Sequence, residues 1–303
     1  MTEPSKSPPR FGFVAVIGPP NVGKSTFINR VVGSKVSIVT PKVQTTRTRV
    51  LGIMVHEQSQ IAFIDTPGIF APRKRLDRAM VDAAWSGSAD ADVTLLMVDA
   101  SIGMDADVER ILDGLASSKC PAVLVLNKID LVKRETLLAL SAALNERAQF
   151  IATFMISAAD GGGIGDVLDQ LAGTVPEGVW HFPEDQMSDM PLRLISAEVT
   201  REKIFLALRQ EVPYSATVET EEWEDFDDGS VKISQTVYVE RDTQKSIVLG
   251  KGGAMVKRIS TEARTELAEL FGRKVHLFLF VKVREKWMED RARYEPWGLK
   301  FDA

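Results

Sequence analysis

One cysteine, Cys120, is the whole thiol content of 303 residues. A lone thiol excludes an internal disulfide framework and fits a reducing compartment. Long apolar runs are missing as well: no stretch approaches the ~18 uninterrupted apolar residues of a membrane-spanning helix. The N-terminus, Met1 to Arg10, is polar and proline-bearing with no apolar segment, so it reads as a short disordered tail rather than a signal peptide. Excess positive charge is also absent. A net charge of −5 argues, for the chain as a whole, against a general nucleic-acid binder. What is present is ordinary globular composition, with 45% hydrophobic and 26% charged residues, enough for a large core and long enough for two domains.

The average charge hides an asymmetry. Between Lys245 and Lys286 ten Lys and Arg face four acids, a local balance of +6, whereas Glu219 to Asp228 holds seven acids and no base. One late face of the chain is therefore a candidate anion-binding surface. The acidic stretch either screens that face from non-specific RNA or is a solvated loop, and the loop is the favoured reading.

The first half is organised around Gly18-Pro19-Pro20-Asn21-Val22-Gly23-Lys24-Ser25, which fits G-x-x-x-x-G-K-[ST]. Phe13–Ile17 before it reads as a buried strand, and Thr26–Val32 after it has helical apolar spacing, with Gly33 as C-cap. Glycines turn the N–H groups of Asn21, Val22, Gly23 and Thr26 around a phosphate, and the opening helix adds its positive end. Lys24 then reaches the β- and γ-phosphates, and Ser25 holds Mg²⁺. Further on, the polar run 40–49 offers a threonine to the Mg²⁺ shell while the γ-phosphate is present, Thr46 by preference and Thr45 as runner-up. Asp65, at the end of the strand Gln60–Ile64, is placed to hold the metal through water, and the unobstructed Gly68 N–H to bond the γ-phosphate.

Asn127-Lys128-Ile129-Asp130 selects the base. The Asp130 carboxylate accepts two hydrogen bonds from guanine's ring N–H and exocyclic amine, a pair that adenine lacks, and Asn127 serves the O6/N7 edge. Backbone N–H groups of Ser157-Ala158-Ala159 meet O6. Every one of these groups falls at a strand's C-terminal end, where open α/β sheets bind ligands. A largely parallel sheet covered on both faces is expected over 11–178.

The second half is set off by a linker at 179–190. A helix over Pro191–Leu208, strands over Tyr214–Glu222 and Val231–Glu240 around an acidic hairpin loop, Trp223–Gly229, then a helix over Ala254–Phe271 and a strand over Val275–Val283 give an α-β-β-α-β order. Gly250-Lys251-Gly252-Gly253 is a G-x-x-G loop with a basic second residue. In KH domains such a loop clamps about four unpaired nucleotides. Lys257, Arg258, Arg273 and Lys274 add phosphate contacts, and Ile247 and Leu249 form an apolar floor for bases.

GPPNVGKS at 18–25, QTTR at 44–47, DTPG at 65–68, NKID at 127–130 and SAA at 157–159 together resemble the translation-factor-related GTPases of the Ras-like superfamily. QTTR and the DTPG-Ile69 continuation are similar to the bacterial Era GTPases, and the Val212-Pro213-Tyr214-Ser215 turn with Leu249–Gly253 resembles the type II KH module that ends them. The resemblance covers about 11 to 300. It implies a phosphate-loop GTPase domain at 11–178 and a smaller α+β KH domain at 191–303, a GTP/GDP and Mg²⁺ site, and hydrolysis of GTP with Lys24, Thr46 and Gly68 at the reacting phosphate. It also implies a monomeric, cytoplasmic protein that binds the 3′ end of 16S-type ribosomal RNA and acts in small-subunit maturation, with a peripheral inner-membrane contact as a further expectation. Ile69 stands where Ras-like enzymes carry the glutamine that orients the attacking water, so slow hydrolysis helped by a partner or by a monovalent cation is implied. Asn21 matches the asparagine of potassium-stimulated relatives. The alternative is an RNA-binding assembly factor that uses GTP as a sensor with negligible turnover. An ATP-dependent RNA enzyme has only the phosphate loop in its favour.

Overall fold

The computed structural model describes residues 8–42, 45–47, 49–116, 118 and 120–303. Most of the expected tail, up to residue 7, and Gln44 of the QTTR motif lie outside the described residues. The chain divides into two compact units, residues 1–37, 46–189 and 297–303 in the first and 38–45 with 190–296 in the second.

In the first unit, β1 (Arg10–Ile17), β2 (Val50–His56), β3 (Ser59–Asp65), β4 (Val93–Asp99), β5 (Ala122–Asn127) and β6 (Ala152–Met155) form a six-stranded sheet in the order β2-β3-β1-β4-β5-β6. Only the β2–β3 pairing is antiparallel. β3, β4 and β5 are buried at every position. Such strands read as unbroken apolar runs because helices cover both faces. The helices are α1 (Lys24–Val32), α2 (Arg75–Ala89), α3 (Ala106–Leu115), α4 (Arg134–Arg147) and α5 (Ile164–Thr174). Sequence periodicity missed α4, whose buried residues are Leu137 and Leu144 alone. Two leucines in four turns leave no apolar stripe to detect.

The stretch expected as a linker, 179–190, is not free up to residue 189. Its backbone is strapped to the sheet: the Gln60 side chain accepts from the N–H groups of His181 and Phe182, both at 3.0 Å, and donates to the Phe182 carbonyl at 2.8 Å. Further along, Ile53 N–H donates to the Met187 carbonyl at 2.9 Å. Gln60 is fully buried, so this strap satisfies an amide that burial would otherwise leave unpaired. The unit boundary falls at residues 189/190, and residues 297–303 group with the first unit instead of the second.

The second unit packs α6 (Leu192–Ala207), α7 (Asp242–Leu249) and α8 (Ala254–Phe271) with a sheet ordered β7 (Ala216–Asp225), β8 (Val231–Val239), β9 (Val275–Val283). β7–β8 is antiparallel and β8–β9 parallel. The order is thus α-β-β-α-α-β, with one helix, α7, more than the expected order allowed. β7 also runs three residues past Glu222, into what was expected to be hairpin loop. Ile204, Val237, Val239, Val248 and Ile259 form part of its core. Trp287 is fully buried, and its indole N–H donates to the Ser215 carbonyl at 2.9 Å. Trp287→Phe keeps an aromatic ring but strands that carbonyl, so it should lower the unfolding free energy by about 1–3 kcal/mol in urea denaturation. Trp287→Ala should cost about 3–5 kcal/mol.

Candidate functional site

The phosphate loop leaves β1 and enters α1 through Gly23, the helix N-cap, in left-handed backbone at φ 100°. A Cβ there would stand 2.4 Å from Asn127 Nδ2, so strain and space both require glycine. Gly68 is constrained differently: an added Cβ would lie 2.8 Å from the Pro20 backbone nitrogen. The DTPG turn and the phosphate loop therefore touch backbone to backbone, and the Ile69 N–H donates to the Gly18 carbonyl at 3.1 Å.

At their junction sit two opposite charges. Lys24 is buried, its Nζ donating to the Gly18 and Pro19 carbonyls at 3.1 and 2.9 Å. Burial lowers its pKa to about 8, against an opposing pull from Asp65. Asp65 is fully buried, and burial raises its pKa, with hydrogen bonds from Ser37 and Ser25 opposing. Its Oδ2 accepts from Ser25 Oγ at 2.7 Å, from Ser37 Oγ, and from Thr46 Oγ1 at 3.5 Å. Ser25 and Thr46 hydroxyls are 3.0 Å apart. Asp65 Oδ1, in contrast, is buried with no hydrogen-bond partner. Hydroxyls around a carboxylate with one unanswered oxygen are a hard-cation donor set, so the residues fit Mg²⁺. No cluster of three His, Cys, Asp or Glu that fits a metal occurs among the described residues.

Thr46, not Thr45, stands beside Ser25 and Asp65. Thr45 Oγ1 lies 2.6 Å from Thr40 Oγ1 and donates to the Lys42 carbonyl at 2.7 Å, and its own carbonyl accepts from buried Arg201 of α6. Ile69 is fully buried in the core with Ile17, Leu96 and Val98, so it has no access to a water at the phosphate.

The residues expected to read the base fall at the ends of β5 and β6. Asp130 is exposed. Asn127 was expected on the guanine edge, yet it is buried and engaged within the protein, donating to the Val22 carbonyl at 2.7 Å and accepting from the Ala158 N–H at 2.9 Å. It braces the two loops, which leaves its second amide hydrogen for a ligand. The Ser157 N–H is likewise used, by the Gly162 carbonyl at 3.0 Å. Sequence reasoning passed over two supports of this region. Arg30 donates to the carbonyls of Ala158 and Ala159, and Asp99, at the end of β4, pairs with Lys128 at 2.6 Å. The strand-end rule that selected Asp65 applies equally to Asp99 and would have found it.

The second candidate site is divided. Gly250, Gly252 and Gly253 take φ 71°, 60° and 79°, and Lys251, Lys257 and Arg258 are exposed at the start of α8. Arg258 pairs with Glu262 at 2.7 Å. Ile247 and Leu249 lie on α7, with Ile247 exposed. Arg273 and Lys274 lie past the far end of this 18-residue helix, about 27 Å away by helix rise. There Arg273 pairs with Asp225 at 2.7 Å and Lys232 with Glu224 at 3.2 Å, while near the other end of β9 Lys282 pairs with Glu221 at 3.5 Å. From Glu219 to Asp225 the acidic stretch is therefore a charge-paired strand, and the solvated loop favoured from sequence is confined to Phe226–Asp228 and the residues that follow.

A parallel sheet with a phosphate loop, followed by a G-x-x-G module on a three-stranded sheet, defines a phosphate-loop GTPase joined to a KH domain. Residues 13–128 match the 50S ribosome-binding GTPase family and residues 211–288 the KH domain family. The chain is 57% identical to GTPase Era of Agrobacterium fabrum over 299 residues, which is 99% of this chain and 94% of that one. It is 58% identical to GTPase Era of Sinorhizobium medicae over 97% and 95% of the two chains. A crystal structure of Era in complex with MgGDPNP and nucleotides 1506–1542 of 16S ribosomal RNA superposes with TM-score 0.91 at 37% identity, covering 96% of this chain and 99% of that one. A variant of Aquifex aeolicus Era bound to GDP and AlF4⁻ gives TM-score 0.90 at 37% identity over 95% and 99%. The chain belongs to the GTPase Era family.

The burial of Lys24 carries a pH signature. Its folded pKa of about 8 lies below the ordinary 10.5. Between those values the unfolded chain binds more protons, so stability rises with pH across that window and the full cost is felt below it. Lys24→Met should therefore be more stable than the parent at pH 7.5 by about 1–2 kcal/mol, and the gap should shrink toward pH 10. Urea denaturation of both nucleotide-free proteins at several pH values checks this.

Proposed function

We propose that this GTPase is a GTP-controlled RNA-binding switch that holds the 3′ end of small-subunit ribosomal RNA and acts in maturation of that subunit. The observation that carries the reading is the superposition over nearly the whole chain on an Era that holds both MgGDPNP and 16S ribosomal RNA nucleotides. The phosphate loop and Lys24 grip the phosphates, Asp130 reads guanine, and the exposed G-x-x-G loop with Lys251, Lys257 and Arg258 takes the RNA backbone. Ser25 and Thr46 are the hydroxyl ligands of Mg²⁺, with Asp65 holding it through water. When bound, Mg²⁺ neutralises charge on the phosphate oxygens.

The chain's own residues then act by position. Lys24 sits at the phosphate end of the loop, where its charge is stabilised once a phosphate replaces the two carbonyls it now contacts. Gly68 brings a backbone N–H to the γ-phosphate. Thr46 is held only while both metal and γ-phosphate remain, so hydrolysis releases its loop. Since Ile69 is sealed in the core, the attacking water is oriented from outside the DTPG turn. Slow hydrolysis, stimulated by K⁺ held at Asn21 or by RNA, follows from that. Asn21 takes left-handed backbone at φ 63°. No helix among the described residues is long and apolar enough to cross a membrane, and the inner-membrane contact is not part of this reading.

Two substitutions separate the sites. Asp130→Asn should weaken GDP binding by about 100-fold or more, since a charged acceptor of two hydrogen bonds is lost, while RNA affinity measured without nucleotide stays within about twofold. Lys251→Ala should do the reverse and flatten the salt dependence of RNA binding by about 0.7 in log–log slope. Fluorescence titrations with GDP and with an RNA oligomer matching the ribosomal 3′ end read both. Loss of both affinities in either variant would sink the two-site assignment.

A further inference from the structure

Asp99 lies outside the phosphate-loop, DTPG and NKID motifs, yet it occupies the strand end between those that deliver the phosphate loop and NKID. β1 delivers the phosphate loop, β3 delivers Asp65, β5 delivers Asn127, and β4, between β1 and β5, delivers Asp99. Asp99 stands opposite Asn127 in the β4–β5 register, and the Ala100 N–H donates to the Asn127 carbonyl at 2.9 Å. Its side chain is 4% exposed. A carboxylate so buried must have every lone pair answered or it destabilises the fold.

The answers are divided between its two oxygens. Oδ1 accepts from the Ser101 N–H at 2.9 Å and from Ser101 Oγ at 2.6 Å. Oδ2 is 2.6 Å from Lys128 Nζ. Burial pushes the Asp99 carboxyl up, but the hydrogen bonds from Lys128 and Ser101 outweigh it and hold the group below the usual carboxylate range. Asp99 is thus a fixed negative charge, clamped from one side by a turn of its own strand and reaching across to the next.

Its partner sits at the one strained residue of the base-reading loop. Lys128 has left-handed backbone, φ 63° and ψ 38°. For a long L side chain that conformation costs about 1–2 kcal/mol and persists only where the surroundings enforce it. Immediately before it, Asn127 is anchored to Val22 and Ala158. Immediately after it, the Ile129 N–H donates to the Ile156 carbonyl at 3.3 Å. Two residues on stands Asp130, exposed. The kink at Lys128 therefore sets where the Asp130 carboxylate points, and the ion pair to Asp99 is what pins the kink from below.

We infer that Asp99 is a positioning residue for guanine recognition: through its ion pair with Lys128 it holds the left-handed turn that aims Asp130 at the base. The inference rests on the proposed base-reading role of Asp130. It assigns Lys128 a tethering role in addition to any contact with the nucleotide, and it makes Ser101, whose two bonds orient the carboxylate, a weaker contributor to the same effect.

The test uses the full chain and compares GDP with IDP, which lacks the exocyclic amine that Asp130 accepts from. Asp99→Asn preserves shape and the Ser101 bonds but removes the charge. It should speed GDP release by about tenfold and shrink the GDP-over-IDP preference by about threefold, because both bases lose the bond from the ring N–H when the carboxylate is misaimed and only GDP also loses the bond from the amine. Lys128→Met should give the same narrowing, and adding Asp99→Asn to it should change the preference by less than about twofold, as expected for two partners in one interaction. Ser101→Ala, at an exposed position, should give a loss of about threefold in the same direction, and it serves where Asp99→Asn does not fold. Equal loss of GDP and IDP binding in Asp99→Asn, or independent effects of Asp99→Asn and Lys128→Met, would overturn the inference in favour of general support. If Asp130→Asn itself leaves the GDP-over-IDP preference unchanged, the base-reading assignment fails first and takes this inference with it.

Discussion

Two opposite charges sealed at the C-terminal edge of one sheet dictate the arrangement of the first unit. Lys24 and Asp65 are both buried, and neither is fully answered by the protein: burial depresses the lysine, and one carboxylate oxygen has no partner. Such a pair costs stability wherever it is not neutralised. In the proposed reading, a polyanion with a divalent cation supplies what each lacks, the phosphates for Lys24 and the metal for Asp65. Binding and folding are therefore coupled, and the nucleotide completes electrostatics that the chain leaves open. The constraints around the pair follow from it. Gly68 has no side chain because the two loops meet there at backbone distance, Gly23 has none because its left-handed turn faces Asn127 Nδ2, and Asn127 spends its amide joining the phosphate loop to the Ser157-Ala158-Ala159 segment.

Much of this was readable in the sequence because the operative features are local. A glycine loop between a buried strand and a helix, an acid at a strand's end, and a guanine-selective tetrapeptide each declare themselves in fewer than about ten residues. Features that depend on distant partners did not. The segment 179–189 has no period, and only the buried Gln60, far away in sequence, explains why it is strapped down. Helix α4 shows no stripe because it buries only Leu137 and Leu144. Helix α7 is eight residues long with Gln244 and Val248 as its buried positions, too short to show a helical period. The acidic strand end of β7 was hidden by its composition, since the residues that make it tolerable, Lys232 and Arg273, come from β8 and from beyond α8.

That charge pairing alters the meaning of the basic excess late in the chain. Counted along the sequence, ten bases form one patch. In the fold they separate, some at the start of α8 beside the G-x-x-G loop and others past its end, where Asp225 occupies Arg273, while Glu221 occupies Lys282 near the other end of β9. Exposed pairs of this kind stabilise by only about 0–1 kcal/mol, but they lower the charge presented to a polyanion at that end. Lys251 and Lys257, next to the glycines, make no ion pair among the described residues, so the electrostatic attraction and the close-approach backbone coincide at that end of the helix.

Both units, finally, carry the same local device at the turn to which the proposed reading assigns phosphate. Helix α1 starts from Gly23 at φ 100°, ψ 21°, and helix α8 from Gly253 at φ 79°, ψ 10°, each a left-handed glycine that turns the chain into a helix N-terminus beside a lysine. What separates them is burial. Lys24 is 7% exposed, whereas Lys251 is exposed. In the first unit the desolvated charge makes each phosphate contact strong, little screened by salt and coupled to a metal. In the second the same geometry works in water, where contacts are individually weak, additive along a strand and released as ionic strength rises. In the proposed reading, one turn geometry thus serves a tight grip on a small triphosphate or an exchangeable grip on a long RNA, according to how much protein stands around the lysine.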